Sequence, residues 1–307
     1  MDTLPVFVRT LSWDADDVLG IELEHVESRP LPEWAPGAHI GLVLPVGIRH
    51  YSLCGDPADR RRYRVAVLLE PASRGGSDFL HDLLRPGHLL DIQPPANHFP
   101  LEPASGYRFI AGGIGITPLV PMTRAAQAPY TLTYVGRTRY AMAFAEDLAD
   151  DVAASVLPRD ETDRPDLDQI LAAPEPGERV YVCGPPGLVE AVHASARAAG
   201  WPEDRVHAER FLPVDLDDDT EAFRFRRPDE TELVPVAADE SLVTVLERLG
   251  VEVESACREG ICGTCRIGVM DGEVVHRDAV LTAEERARGD VMMACVSRGR
   301  GDLVIAP

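Results

Sequence analysis

Four cysteines constrain this chain more than any other feature: Cys257, Cys262 and Cys265 crowd into nine positions, and Cys295 follows after 29 intervening residues. C-x4-C-x2-C with one distant partner is the spacing by which thiolates hold a plant-type [2Fe-2S] cluster. Two irons and four sulfur ligands need a loop that wraps them, with backbone N–H groups close to the sulfurs. Gly260, Gly263 and Thr264 place small residues in that loop. A four-cysteine zinc site would normally show C-x2-C in both halves, and the tight triplet favours cluster ligation in a reducing compartment over disulfides. Cys257, Cys262, Cys265 and Cys295 are the expected iron ligands.

At 307 residues the chain suits two or three compact units rather than one. Its 45% apolar and 26% charged residues are those of a soluble globular protein. The best candidate for a membrane span, Phe109 to Met122, is broken by glycines and prolines. Met1 to Thr10 carries acid early and has no basic flank before an apolar core, so it does not read as a secretory signal, and a cytoplasmic location is expected. A formal charge of -21 argues against nucleic acid or an anionic membrane as partner, because phosphate contacts need clustered cations. Every lysine-or-arginine position is arginine, the side chain suited to bidentate phosphate contacts. A monomer is expected.

Three regions separate by pattern. Residues 1–101 carry short alternating apolar stretches, Pro5 to Val8, Ile40 to Leu44 and Tyr63 to Leu69, punctuated by Pro and Gly, which predicts an antiparallel β-barrel. Residues 105–212 alternate strands with helical segments: Phe109 to Ala111 before a glycine turn, Tyr130 to Val135 before Ala141 to Leu148, and Val180 to Val182 before Leu188 to Ala198. That order predicts a parallel sheet wrapped by helices. Residues 213–221, with Asp215, Asp217, Asp218 and Asp219, read as a solvated linker, a docking surface for a basic partner being the alternative. In residues 222–307, Leu242, Val245, Leu246 and Leu249 share a helical face behind the capping candidates Asp239 and Ser241, and Asp271-Gly272 predicts a hairpin turn.

Two further motifs carry chemistry. Gly112-Gly113-Ile114-Gly115-Ile116-Thr117-Pro118 follows a strand and opens a helix, with Thr117 as expected N-cap and Pro118 at the first helical position. Glycines there let backbone close on a pyrophosphate at a helix N-terminus. Cys183-Gly184-Pro185 ends another strand and puts a thiol at the carboxyl edge of the sheet, where ligands of such folds bind; the alternative is a small buried hydrophobe. In the first region Arg49-His50-Tyr51-Ser52-Leu53 offers an arginine for a phosphate, an aromatic face and a hydroxyl, and Arg74-Gly75-Gly76-Ser77 offers bare backbone donors for an anion. Cys54 and the histidines His50, His81 and His98 show no metal-ligand pairing and fit ordinary structural roles.

These motifs resemble known ones. The last region resembles the [2Fe-2S] ferredoxins, which implies a β-grasp fold with one cluster edge exposed. The glycine turn is similar to that of ferredoxin reductases, which places Cys183 beside a nicotinamide, and Arg49 to Leu53 resembles their R-x-Y-S-L flavin signature. Flavin first, nicotinamide second and ferredoxin last is the layout of the phthalate dioxygenase reductase family, which the chain resembles over essentially its whole length. The resemblance implies FMN in preference to FAD, NADH or NADPH as donor, and hydride transfer near Ser52, Thr117 and Cys183. It also implies a terminal Rieske oxygenase as acceptor, with a cytochrome P450 second. A nicotinamide yields two electrons together and an iron–sulfur cluster takes one, so a flavin between them is a physical necessity.

At the ribose-reading position, Gly136-Arg137-Thr138-Arg139 has no carboxylate and leaves Arg137 and Arg139 for a 2′-phosphate, whereas the family more often uses NADH; NADH is preferred. Arg258, Arg266, Arg298 and Arg300 offer either a cationic docking rim or ordinary solvated surface. A non-catalytic electron-relay subunit of a larger flavoprotein complex is the alternative function.

Overall fold

The computed structural model of the chain describes residues 3–71, 75–209, 211, 221–255, 260, 263–278 and 280–307. Contacts divide the chain into two units, Met1–Arg210 and Phe211–Pro307.

The first unit begins with an antiparallel sheet of β1 (Leu4–Ala15), β2 (Val18–His25), β3 (Ala38–Leu44), β4 (Gly47–Ser52), β5 (Tyr63–Leu68), β6 (Leu89–Ile92) and β7 (Ala96–Asn97), with helix α1 (Gly76–Asp82). Strand order is β4-β3-β6-β1-β2-β5, β7 pairing with β3. The two ends meet at a bridge between Leu53 and Val65, which closes the barrel. Alternation fills its interior: Val6, Val8, Ile21, Leu23, Ile40, Leu42, Val65 and Val67 have no solvent exposure.

The same unit continues as a parallel sheet, β10 (Ala154–Pro158), β9 (Tyr130–Gly136), β8 (Gly106–Gly112), β11 (Glu178–Cys183) and β12 (Val206–Glu209) in that order. Helices α2 (Leu119–Ala125), α3 (Leu167–Leu171) and α4 (Pro186–Ala199) flank it. Helix α4 shows why this sequence is helical: a proline in its first turn, Val189, Val192 and Ala196 buried on one face, and Gly200 at φ 84° to end it. The Trp201 indole N–H then donates to the Leu171 carbonyl at 2.8 Å, tying α4 to α3.

Two expectations are corrected here. Residues 141–148 are not an α-helix but a 3-10 turn at Arg139–Ala141 followed by irregular turns. Met142, Ala143, Phe144 and Ala145 are all buried, which a one-faced surface helix cannot provide, and Phe144 sits at φ 64°, off the helical path. Thr117 does not cap α2. The chain turns helical four residues sooner, in a 3-10 segment at Gly113–Ile116; Thr117 is itself helical at φ -59°, and Pro118 takes the cap position.

The second unit is a mixed sheet of β13 (Phe223–Arg226), β14 (Val234–Val236), β15 (Arg266–Val275), β16 (Val291–Met293) and β17 (Arg298–Ala306), ordered β14-β13-β17-β15-β16. Helices α5 (Leu242–Arg248) and α6 (Ala283–Arg288) complete the β-grasp architecture. Ser241 caps α5 by accepting from the Thr244 N–H at 3.2 Å; Leu242, Val245 and Leu246 are fully buried, while Leu249, past the end of the helix, is 49% exposed. Thr282 and Glu285 form a capping box at α6. Asp271-Gly272 is not a hairpin turn. It is a bulge within β15, where the register against β17 slips on both sides of Asp271 and Gly272 adopts φ 104°.

Candidate functional site

In the barrel, β4 carries Arg49 and Tyr51 on one face and His50 and Ser52 on the other. A Cβ placed on Gly76 would lie 2.7 Å from Arg49 Cγ and 2.9 Å from its Nε, so the guanidinium arm lies directly over the Gly75-Gly76 turn that starts α1. Gly75 stands at φ 84°, a conformation glycine adopts without strain. Arginine, glycine backbone and the Tyr51 ring thus form one cradle with the chemistry to take a phosphate and an aromatic ring system. Burial holds the Tyr51 hydroxyl protonated, its pKa pushed up to about 12. The Ser77 hydroxyl turns inward and accepts from the Glu70 N–H at 3.2 Å. His50 meets Gln93 Oε1 at 3.2 Å and the His39 ring edge-on at 5.3 Å, and Ser52 is 5% exposed. Arg74 lies outside the described residues.

The cradle yields a direct expectation. Gly76→Val must displace the Arg49 arm, and losing one charge-assisted phosphate contact costs about 1.5–3 kcal/mol, roughly a tenfold to hundredfold weaker flavin. Fluorescence titration of the apoprotein with FMN checks this; an unchanged Kd would refute the cradle.

In the parallel sheet, β8 and β11 are neighbours, with Ala111 opposite Cys183. Their carboxyl ends bring the two glycine motifs into contact. A Cβ on Gly115 would meet the Cys183 carbonyl oxygen at 2.3 Å and the Gly184 nitrogen at 2.7 Å, and one on Gly112 would meet Pro185 Cδ at 2.8 Å. Thr117 is 2% exposed and its hydroxyl donates to the Ile114 carbonyl at 3.0 Å; Ile116 is fully buried. Gly113, at φ 53°, faces open space, which leaves backbone accessible above the seam. Cys183 is fully buried, and burial, reinforced by Glu209, pushes its thiol well above the ordinary range, so it is a neutral packing group and not a nucleophile. At the end of neighbouring β9, Arg137 is exposed and Arg139 lies 3.7 Å from Glu161.

Sequence reading missed Glu209. It ends β12 opposite Cys183, and its Oε2 is shut off from solvent without a hydrogen-bond partner among the described residues. Burial raises its carboxyl to about 8, which favours the protonated form at neutral pH. The one signal available was an acid closing the short apolar run Val206–Glu209. Because the folded carboxyl takes its proton up to about pH 8 while the unfolded one ionises near 4.5, the unfolded state binds fewer protons between those values and stability falls as pH rises through that window. Glu209→Gln removes that slope. Its melting temperature is expected to gain on the wild type by a few degrees between pH 5 and 8; parallel melting curves across that range would show the carboxyl to be ionised.

In the second unit, pairing of β15 with β16 brings two of the expected ligands together. Arg266 pairs with Met293, and the next amide, Ala294 N–H, donates to the Cys265 carbonyl at 3.0 Å, which sets Cys265 beside the turn bearing Cys295. Both cysteines are buried, at 2% and 7% exposure. Cys257 and Cys262 lie outside the described residues, as do Arg258 and nearly all of the acidic stretch. Gly260, at φ 72°, fits against Asp278 and Val296, where a side chain would not. Buried thiols flanked by a glycine loop are a donor set suited to iron and sulfide.

The cationic rim is corrected in part. Arg298 is 6% exposed, stacks on Phe223 and donates to the carbonyls of Glu221 at 3.1 Å and Ala237 at 2.6 Å, so it is an internal strut. Arg266 and Arg300 pair with Glu285 and Glu273 at 2.8 and 2.6 Å, which cancels much of their field. Among the described residues no helix is long and apolar enough to cross a membrane.

Comparison with known proteins agrees with this geometry. Residues 227–299 match the 2Fe-2S iron-sulfur cluster binding domain family. The chain is 39% identical over 305 residues to the vanillate O-demethylase oxidoreductase of Pseudomonas putida, covering 95% of this chain and 96% of that one. It superposes on the crystallographic phthalate dioxygenase reductase, described as a modular structure for electron transfer from pyridine nucleotides to [2Fe-2S], with a TM-score of 0.76 and 30% identity, covering 99% and 98% of the two chains. An intact type IV self-sufficient cytochrome P450 monooxygenase matches at TM-score 0.85 and 43% identity, covering 99% of this chain but 41% of that larger protein.

Proposed function

The chain belongs to the phthalate dioxygenase reductase family, and from that premise we propose that it is the NAD(P)H-oxidising reductase component of an oxygenase system, with a terminal Rieske oxygenase as acceptor. The observation that carries the reading is the coexistence, in one chain, of the Gly112–Gly115 seam against Cys183, the Arg49–Gly76 cradle and the Cys265–Cys295 pair. When bound, the nicotinamide, FMN and [2Fe-2S] groups supply hydride transfer and its division into single electrons.

The protein's own part is positioning. Arg49 and the Gly75-Gly76 amides neutralise and orient a phosphate, with Arg74 as a further candidate, and Tyr51 supplies a ring that stays protonated. Gly112 and Gly113, followed by Gly115, let backbone N–H groups approach a pyrophosphate, with Ile116, Thr117 and Pro118 fixing the turn. Cys183, Gly184 and Pro185 form the floor on which a nicotinamide would lie, and Glu209 holds a proton at that edge. Ser52, Thr117 and Cys183 remain our choice for the residues nearest the transferred hydride; none needs to act as acid or nucleophile. Cys257 and Cys262 complete the ligand set with Cys265 and Cys295. Exposed Arg137 is the side chain available to a 2′-phosphate, yet we assign NADH as the preferred donor on family grounds. Cysteine usage favours a cytoplasmic setting.

A cytochrome P450 is the second choice of acceptor, supported by the fused P450 monooxygenase that this chain matches at 43% identity. An absorption spectrum of the purified protein, before and after anaerobic NADH or NADPH, tests the proposal: flavin and iron–sulfur bands bleached by NADH are expected. A protein that lacks either chromophore, or that no nicotinamide bleaches without further subunits, would instead be a relay subunit or something else.

A further inference from the structure

Asp278 has no solvent exposure, yet it belongs to no motif discussed above. Its Oδ2 accepts from the backbone N–H groups of Val280 at 3.0 Å and Leu281 at 2.8 Å and from Arg286 Nη2 at 3.3 Å. Its Oδ1 accepts from the Ser297 hydroxyl at 3.5 Å, and His276 Nδ1 stands 3.8 Å from the same oxygen. Arg286 also donates to the Asp278 main-chain carbonyl at 2.5 Å, and Ser297 Oγ accepts from the Arg277 N–H at 3.3 Å.

Two of these contacts reach toward the cysteines. Ser297 follows Cys295 by two residues, so one carboxylate oxygen holds the turn that carries the fourth ligand. On the other side, a Cβ on Gly260 would lie 3.0 Å from Asp278 Cα and 2.5 Å from Val296 Cγ2. Gly260 lies between Cys257 and Cys262 in sequence, and it packs on the same residue whose carboxylate faces the Cys295 turn. Gly260 and the turn bearing Cys295, distant in sequence, share one support.

We propose that Asp278, paired with Arg286, is the positioning residue of the iron–sulfur site, holding the triplet loop and the Cys295 turn at a fixed separation and setting the charge behind them. This rests on the cluster assignment made above. Asp278 has no solvent exposure while the Arg286 side chain is 31% exposed, so loss of the arginine leaves a buried carboxylate without its cation, and loss of the carboxylate leaves a partly screened one. Reduction adds one negative charge to the site. Asp278→Asn leaves Arg286 unopposed and favours the reduced form; Arg286→Met leaves the carboxylate unopposed and disfavours it.

The test is potentiometric titration of the full-length, cluster-loaded protein, followed by electron paramagnetic resonance of the reduced cluster. At a fixed poise near the wild-type midpoint, the ratio of reduced to oxidised cluster is expected to rise about threefold or more in Asp278→Asn and to fall by a similar factor in Arg286→Met. Altered g-values are expected in Asp278→Asn as the support relaxes. Shifts of the same sign in both variants, or none in either, would overturn the proposal, since loosened packing alone has no reason to reverse sign between them. If Asp278→Asn does not retain its cluster, Arg286→Met decides: a midpoint at or above that of the wild type refutes the assignment. A wild-type protein without iron and sulfide would refute the cluster reading itself, a separate outcome.

Discussion

Cys295→Ser is expected to cut electron delivery to the oxygenase partner by about a hundredfold or more while leaving reduction of the flavin by NADH nearly unchanged. The two halves of that result come from different parts of the chain. Cys295 lies in the turn after β16, in the second unit, where serine offers a harder and poorer donor to iron. Residues assigned to the flavin and the nicotinamide all belong to the first unit, Met1–Arg210, whose sheets have their own cores and contain none of the expected iron ligands. Stopped-flow bleaching of the flavin by NADH measures the first step, and reduction of the partner, or of a one-electron dye, measures the second. Wild-type delivery to the partner by the serine variant would break the assigned electron path; loss of flavin reduction would show that the cluster supports the first unit in some further way.

Gly115→Ala is the second large effect. A methyl group there meets the backbone of Cys183 at 2.3 Å, and backbone cannot rotate aside as a side chain can. The turn from Gly112 to Thr117 has to lift away from β11, which costs about 1–3 kcal/mol of stability. Displacement of about an ångström at the locus proposed for hydride transfer is expected to cost on the order of a hundredfold in rate. NADH-driven flavin reduction should therefore fall about a hundredfold, whereas photochemical reduction of the same flavin, which needs no nicotinamide, should proceed normally. Equal slowing of both would mean that the substitution damages the flavin site and not the seam.

How much of this was legible beforehand depends on the distance over which each feature is decided. The glycine turn after β8 and the Ser241 cap of α5 are decided within a few residues, and they stand where their local chemistry puts them; of the cysteine triplet, only Cys265 falls among the described residues. Ala141 to Leu148 failed for a non-local reason: its composition suits a helix, but Met142 folds over Gly136, whose Cβ position lies 2.2 Å from Met142 Cγ, and burial of four successive residues overrides propensity. Asp271-Gly272 carries a turn signature, yet β17 runs alongside it, and a Cβ on Gly272 would sit 2.5 Å from the Asp302 carbonyl oxygen; the glycine serves the bulge. Arg298 looked like surface because three of its carbonyl partners, in Glu221, Ala237 and Glu240, are distant in sequence. Glu209 and Asp278 were invisible for the same reason. A lone acid acquires meaning from the burial imposed by its neighbours, and no spacing rule encodes that.

The edge strand β16 is three residues long, and the rung just beyond it joins Ala294 to Cys265. A strand on the margin of a sheet is the first to breathe, and parting of this one from β15 loosens Cys265 and the turn bearing Cys295 in the same event. Two of the expected iron ligands thus depend for their relative placement on one short stretch of peripheral backbone.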